Sequence, residues 1–260
     1  MEHDDQIRQP SFVLVRPQMG ENIGASARAM WNFGLDRMRV VAPRDGWPNE
    51  RAVALASGAG RLLDEAGLFD DVPSAIADST YVFATTARPR GMTTPVVTPE
   101  RAMQQARAIA ARGGKVAILF GPERAGLENE DIARANAIIS VPVNPEFPSL
   151  NLAQCVLLCA YEYRRASVEV APEVMEMAGT EFATGAEIAA LGDHIEDRME
   201  TAGFFFPPTK AEGMRRNLRH MWARLPLTRA DVQTLHGIFR QMVRWAERRG
   251  PDEDRHRDRD

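Results

Sequence analysis

Cysteine is scarce in this chain: among 260 residues only Cys155 and Cys159 occur, four apart in an apolar, helix-like run. Two thiols make no disulfide framework, and a zinc site would want two further ligands where no histidine lies near. Both are read as buried core residues, the usual place of a free thiol, and no metal is expected. Long hydrophobic runs are missing too. Nowhere do 18 apolar residues follow one another, and the opening MEHDDQIRQP is acidic and polar with no apolar core. The chain is therefore expected to be neither secreted nor membrane-spanning, and to work in the cytoplasm. Positive charge is not in excess either: the formal net charge is −4. That is a poor starting point for binding a polyanion, because phosphate contacts supply most sequence-independent affinity. Internal repeats are absent.

What is present is ordinary globular composition, 44% hydrophobic and 26% charged, on a length that allows a medium domain plus a small one. The charge is unevenly placed. Between residues 207 and 249, ten Lys and Arg face three acids, a net of +7, which leaves −11 for the remainder. Such asymmetry hints at a polyanion surface in the C-terminal part.

Apolar runs alternate with helix-patterned segments. Strands are expected at 11–15, 38–42, 81–85, 116–120 and 138–143, and helices from Asn22, over 51–66, 74–78, 99–111, 127–136 and 152–164. Asn22 is read as the cap of the first helix, Thr98 as the cap of the helix opened by Pro99, and Ser149 or Asn151 as the cap of the helix at 152. This order argues for an α/β domain with a mostly parallel sheet covered on both faces. Residues 166–180 lose apolar periodicity and read as a linker. Three helices are expected beyond it, at 188–202, 210–225 and 228–247, separated by prolines, with Thr228 and Asp231 as a capping box. The expected organisation is a disordered terminus at 1–10, an α/β domain at 11–165, the linker, a helical domain at 181–249 and a charged tail at 250–260.

Three loops follow expected strands at their C-terminal ends, where open α/β sheets bind ligands. In Asn22-Ile23-Gly24-Ala25-Ser26-Ala27-Arg28 the small residues would let a helix start approach a phosphate, with Arg28 one turn on to fork onto it. In Leu119 to Leu127 two glycines are spaced as in a phosphate-binding loop, but Leu127 stands where that loop needs Lys, which argues against a nucleotide triphosphatase. Glu123 is free there to orient a partner. In Asn144 to Ala153 two prolines constrain the chain before Ser149 and Asn151. Each segment also has a purely structural reading as a helix start.

Together, in this order, the three segments resemble motifs 1, 2 and 3 of the SPOUT superfamily of RNA methyltransferases, in its SpoU/TrmH branch. Ala84 to Gly91, Gly203 to Lys210 and Met214 to Arg219 further resemble tRNA 2'-O-methyltransferases of the TrmJ type. The resemblance covers about residues 11–247. It implies a SPOUT-type parallel sheet with helices on both faces and a C-terminal trefoil knot, followed by a small all-helical domain. It also implies a homodimer with the active site at the subunit interface. Neither knot nor dimer is readable from periodicity. The implied cofactor is S-adenosylmethionine, held by Thr85, Thr86, Ala87, Gly121, Val141, Pro148, Ser149 and Leu150. The implied partner is tRNA, with nucleotide 32 of the anticodon loop as target.

Methyl transfer to a ribose hydroxyl needs that hydroxyl in line with the donor methyl and its proton removed. Arg28 is the resemblance's candidate centre. A guanidinium is normally protonated, so Arg28 acts either as a base with a depressed pKa or, the preferred reading, as phosphate anchor and charge stabiliser while water takes the proton. Asn151 and Ser149 are expected to orient Arg28 or the ribose, and Glu123 to hold the loop or the partner's arginine. RNA is expected to meet Asn22, Arg28, Arg88, Lys210, Arg215, Arg216 and Arg219. The competing readings are an enzyme for another tRNA or rRNA site, a non-catalytic RNA-binding protein on the same scaffold, and a nucleotide-dependent oxidoreductase. The last lacks the glycine fingerprint after its first strand.

Overall fold

The computed structural model describes residues 8–87 and 93–249. Two compact units divide between Val170 and Ala171. The first is built on a seven-stranded, all-parallel sheet in the order β3-β2-β1-β6-β4-β7-β5. The strands are β1 Ser11–Val15, β2 Met38–Val41, β3 Gly67–Phe69, β4 Tyr81–Thr85, β5 Val96–Val97, β6 Val116–Phe120 and β7 Ala137–Ile139. Its helices are α1 Gly20–Asn32, α2 Glu50–Ala56, α3 Gly60–Asp64, α4 Val72–Ile76, α5 Pro99–Ala111, α6 Asn129–Ile132 and α7 Leu152–Arg165.

The sheet centre explains the unbroken apolar runs. Every residue of β1 and β6 is buried, because helices cover both sides. On one face Phe12, Leu14, Ile118 and Phe120 pack with residues of α1, α2, α5 and α7. On the other, Val13, Val15, Ala117 and Leu119 pack with α4 and α6. No helix among the described residues is long and apolar enough to cross a membrane.

Several element boundaries differ from expectation, each for a local reason. The single helix expected over 51–66 is two, because Ser57 (φ 43°) and Gly58 (φ 91°) turn left-handed between α2 and α3. The helix expected over 127–136 shrinks to α6. Glu128 caps it in an extended conformation, and Asn136 already belongs to the sheet, its Oδ1 accepting from Val82 N at 2.8 Å. The strand expected over 138–143 ends at Ile139; Pro142 offers no N–H to a ladder. Strands β3 and β5 were not expected, since two or three residues are too short to show alternation. Gln9 and Pro10, placed in a disordered terminus, join the fold: Gln9 donates to Gly34 O at 2.9 Å and accepts from Asp36 N at 3.0 Å, and Pro10 is buried.

Helix α1 also begins earlier than expected. Its cap is Met19, without a side-chain bond, so Asn22 lies inside the first turn and does not cap. The small residues there serve helix packing rather than a phosphate: a Cβ on Gly24 would lie 2.1 Å from Ala52 O, and one on Gly20 would lie 2.0 Å from Asn49 Oδ1. Bare glycine edges let α1 press onto α2.

The second unit contains α8 Gly185–Thr201, α9 Pro208–Ala223 and α10 Arg229–Arg249 around Leu191, Ile195, Trp222 and Val232. The start of α10 is capped as the sequence suggests, whereas Thr184 caps α8 without having been expected and α9 opens at Pro207 with no side-chain cap. Thr228 N donates to Asp231 Oδ2 at 2.8 Å and Asp231 N returns to Thr228 Oγ1 at 3.1 Å.

A Gly24→Ala substitution tests the α1/α2 contact. The added methyl meets backbone that cannot yield without moving a helix, so a loss of about 1–3 kcal/mol is expected in denaturant unfolding. Unchanged stability would mean that the two helices are not held at this distance.

Candidate active site

The C-terminal ends of β4, β6 and β7 surround a cavity of about 200 Å³. Thr85, Thr86 and Ala87 enter it from the end of β4, and Gly121 to Gly126 from the loop after β6. Val141 and Val143 line it beyond β7, and Pro148, Ser149 and Leu150 close it ahead of α7. All eight residues expected at the cofactor thus line one cavity. The position is the one where open α/β sheets place ligands.

The shape depends on Gly121. A Cβ there would lie 2.3 Å from Leu127 N and 2.5 Å from the carbonyl carbon of Gly126, so the loop doubles back onto a bare glycine. Gly126 completes the turn at φ 67°, its N–H donating to Pro122 O at 2.9 Å. The rest of the wall mixes apolar side chains such as Val141 and Leu150 with polar groups from three loops. This combination suits an aromatic base and a small polar chain held by main-chain groups.

One hydrogen-bonded chain ties the three motifs together. Asn22 Nδ2 donates to Glu123 Oε1 at 2.6 Å, and Asn151 Nδ2 donates to Asn22 Oδ1 at 2.9 Å. The other oxygen of Glu123 accepts from Gln18 N at 3.0 Å. Asn151 Oδ1 caps α7 by accepting from Ala153 N at 2.9 Å and Gln154 N at 3.4 Å, while Gln154 Oε1 accepts from Asn151 N at 3.2 Å. Asn22 was expected at the RNA surface. It is instead 9% exposed with both amide atoms engaged inside, so it frames the site. Glu123 likewise holds a loop rather than standing free.

Two residues that the sequence did not place at this site bear on it. Arg16, left-handed at φ 47°, pairs with the buried Asp131 and, at 3.6 Å, with Glu128, fixing the turn after β1 to α6. Cys155 is half-buried and lines the cavity, against the expectation that both cysteines sit in the core; Cys159 does. Cys155 follows Leu152, another residue of the cavity wall, by three positions, the spacing that puts two side chains on one helix face. A hydrogen bond from Cys159 draws the Cys155 thiol below its usual range, whereas that hydrogen bond and burial push Cys159 well above it.

Arg28 is placed differently from expectation. It is the ninth residue of α1, about 12 Å along the helix from its start, and so cannot share a ligand with the helix N-terminus. It is exposed, makes no hydrogen bond or ion pair among the described residues, and does not line the cavity. Ser149 lines the cavity on an exposed loop. Arg88 lies outside the described residues.

The cations expected to meet RNA from the second unit divide into two pairs. Arg219 is engaged twice by the buried Glu196, Nε to Oε1 and Nη2 to Oε2, both at 2.7 Å. Arg215 pairs with Glu200 and lies 4.5 Å over the Phe205 ring. Both serve the fold of their own unit. Lys210 and Arg216 are exposed and have no ion-pair partner among the described residues. No group of three metal-ligating side chains occurs among the described residues.

An Asn22→Asp variant tests the chain that joins the motifs. It sets a second carboxylate against Glu123, and the pair keeps a proton in the folded state that unfolded carboxylates release. Stability should fall by about 1–3 kcal/mol at neutral pH and recover on acidification, because the folded state then binds no more protons than the unfolded one. A pH-independent loss in thermal or denaturant unfolding would contradict the contact.

Comparison with known proteins agrees with this geometry. The SpoU rRNA methylase family matches residues 9–161. The chain is 35% identical over 243 residues to the tRNA (cytidine/uridine/adenosine-2'-O-)-methyltransferase TrmJ of Pseudomonas aeruginosa, covering 90% of this chain and 93% of that protein. It is 32% identical to tRNA (cytidine/uridine-2'-O-)-methyltransferase TrmJ of Photorhabdus laumondii, covering 91% and 98%. The crystal structure of TrmJ from Z. mobilis ZM4 superposes with a TM-score of 0.80 at 47% identity, covering 90% of this chain and 99% of that one. On its three connected motifs, its parallel sheet and this extent of likeness, the chain belongs to the SpoU rRNA methylase family of RNA methyltransferases.

Proposed function

We propose that this protein transfers a methyl group from S-adenosylmethionine to a ribose 2'-hydroxyl of tRNA, with nucleotide 32 of the anticodon loop as the target. The observation that carries the reading is the cavity itself, into which every residue expected at the cofactor projects from three separate strand ends. The tRNA substrate is taken from the TrmJ relatives, and the nucleotide from the resemblance of the loops after β4 and α8.

Thr85, Thr86, Ala87, Gly121, Val141 and Leu150 would hold the cofactor, which when bound supplies an electrophilic methyl carbon on a sulfonium. The protein's own work is positioning. Gly121 and Gly126 bring backbone against the ligand, and Val141 and Leu150 give its base an apolar wall. The Glu123–Asn22–Asn151 chain holds the three loops in one arrangement. For the methyl to reach a ribose oxygen, these residues would have to hold that hydroxyl in line with it and leave the hydroxyl proton a path to water. Charge growing on that oxygen needs a cation, and Arg28 is the one we assign to it.

Arg28 lies outside the cavity of its own chain, which suits an arginine delivered across the interface of a homodimer. Trp31, Leu157 and Tyr161 are each 39–47% exposed on the packed pair α1 and α7, and they offer the apolar surface such an interface needs. The trefoil knot belongs to the same proposal. Of the four cations expected to meet RNA from the second unit, Lys210 and Arg216 are the two left to grip the tRNA backbone.

Arg28→Ala should bind S-adenosylmethionine as the wild type does in calorimetric titration. Its single-turnover methylation of tRNA should be slower on the order of 10²-fold or more; near-normal turnover would remove Arg28 from the mechanism. Replacing Lys210 and Arg216 together by Ala should weaken tRNA binding and lower the slope of log affinity against log salt by about 2. A slope equal to that of the wild type would place the phosphate contacts elsewhere.

A further inference from the structure

A second groove, of about 460 Å³, opens at the C-terminal ends of β2 and β3, on the same edge of the sheet as the first cavity. Trp47 and Phe69 supply its aromatic surface, and Asp70 and Ser74 its polar side. The two rings are anchored from opposite faces of the sheet. Trp47 packs partly against the cluster containing Phe12 and Leu14, and Phe69 against that containing Val13 and Val15. Arg39 lies 5.7 Å from the Phe69 ring centroid and is clamped by Asp78 at 2.7 and 3.0 Å. That guanidinium draws the Asp78 carboxyl down to about 2. Both rings are therefore fixed surfaces with one side open to a ligand.

Asp70 and Ser74 share one hydrogen-bonding character. Asp70 makes no hydrogen bond or ion pair among the described residues, and as a carboxylate it can only accept. Ser74 Oγ spends its proton on Asp71 O at 2.9 Å, so it too presents lone pairs. Apart from the Trp47 indole N–H, the polar side chains of the groove are acceptors, which disfavour phosphate beside Asp70 and favour a flat ligand whose edge donates. Among the bases of an RNA, cytosine, adenine and guanine carry an amino group with two N–H donors for two acceptors, whereas uracil offers one N3–H set between two carbonyls.

The groove is coupled to the first cavity by backbone. Ala42 N donates to Phe69 O at 2.9 Å, Arg44 N donates to Pro17 O at 3.1 Å, and the next residue, Gln18, donates to Glu123. A loop that fills the groove is thereby held beside the frame of the active site. We infer that the Trp47–Phe69 groove binds one unpaired, amino-bearing base of the substrate RNA, flanking the methylated nucleotide, by stacking on the rings and donating to Asp70 and Ser74. This inference rests on the RNA-methyltransferase reading above.

The test uses the full chain with oligocytidylate and oligouridylate as probes, followed by tRNA. The wild type should bind oligocytidylate more tightly in fluorescence anisotropy. Trp47→Ala should weaken that binding about 10-fold, with Trp47→Phe recovering most of it. Asp70→Asn, an exposed change that leaves the packing alone, should abolish the preference for cytidylate. With tRNA, both disabling variants should raise KM while leaving kcat and S-adenosylmethionine affinity near those of the wild type. Equal binding of the two oligonucleotides by the wild type, or KM values within twofold for both variants, would overturn the inference while leaving the methyltransferase reading intact. A wild-type chain that binds neither S-adenosylmethionine nor tRNA would remove the reading on which the inference stands.

Discussion

One buried carboxamide decides how the active-site end of the sheet is assembled. Asn22 must meet an acceptor on one side and a donor on the other, because Glu123 can only accept and the Asn151 oxygen is already spent on capping α7. An aspartate would repel Glu123, and a leucine of similar shape would leave both neighbours unpaired in a poorly solvated place. Low local dielectric makes each bond stronger and each omission more costly. Helix α1, the loop after β6 and the start of α7 are thus set by one side chain, and the walls of the cavity follow from their positions.

Glycine supplies the second constraint, for reasons that differ by position. At Gly24 the missing Cβ admits a neighbouring helix; at Gly121 it admits the returning strand of its own loop. Only the second shapes the ligand cavity directly. The first acts through α1, since a helix pushed off α2 would carry Asn22 with it. Packing far from the ligand and hydrogen bonding beside it are in this sense one mechanism, with α1 as the rigid element between them.

These relations also explain what could be read in advance. The buried strands and the long helices were legible, because an unbroken apolar run or a 3.6-residue period carries its own signal, and the cap at Asn151 was readable beside Leu152. The short edge strands β3 and β5 were not, since their pairing comes from neighbours rather than from pattern. The loops at Gly121 and Ser149 were legible as a cavity only through resemblance, which gave their joint meaning. Asn22 was misread because a helix cap and a buried polar hub use the same residue type. The difference lies in Met19 and Gly20, whose extended and helical conformations start α1 earlier. Cys155 was misread because one turn of an apolar helix can face a core or a cavity with equal sequence support.

Charge shows the same gap between counting and geometry. Of the 32 basic residues only Lys115 and Lys210 are lysines, so the positive segment is almost wholly arginine. The guanidinium fork matches a carboxylate, and Arg219 with Glu196 uses that match to fasten α9 to α8. A surplus of seven charges therefore overstates the free cationic surface, because part of it is consumed in holding the helices together. Arg215, Arg219 and Arg229 are consumed in this way, whereas Lys210, Arg216, Arg224, Arg244 and Arg248 stay exposed without an ion-pair partner among the described residues, and a carboxylate lines the groove at the ends of β2 and β3. A protein of net charge −4 has reason to draw RNA affinity from stacking and shape as well as from phosphate contacts. The fixed rings of Trp47 and Phe69 are where this fold offers them.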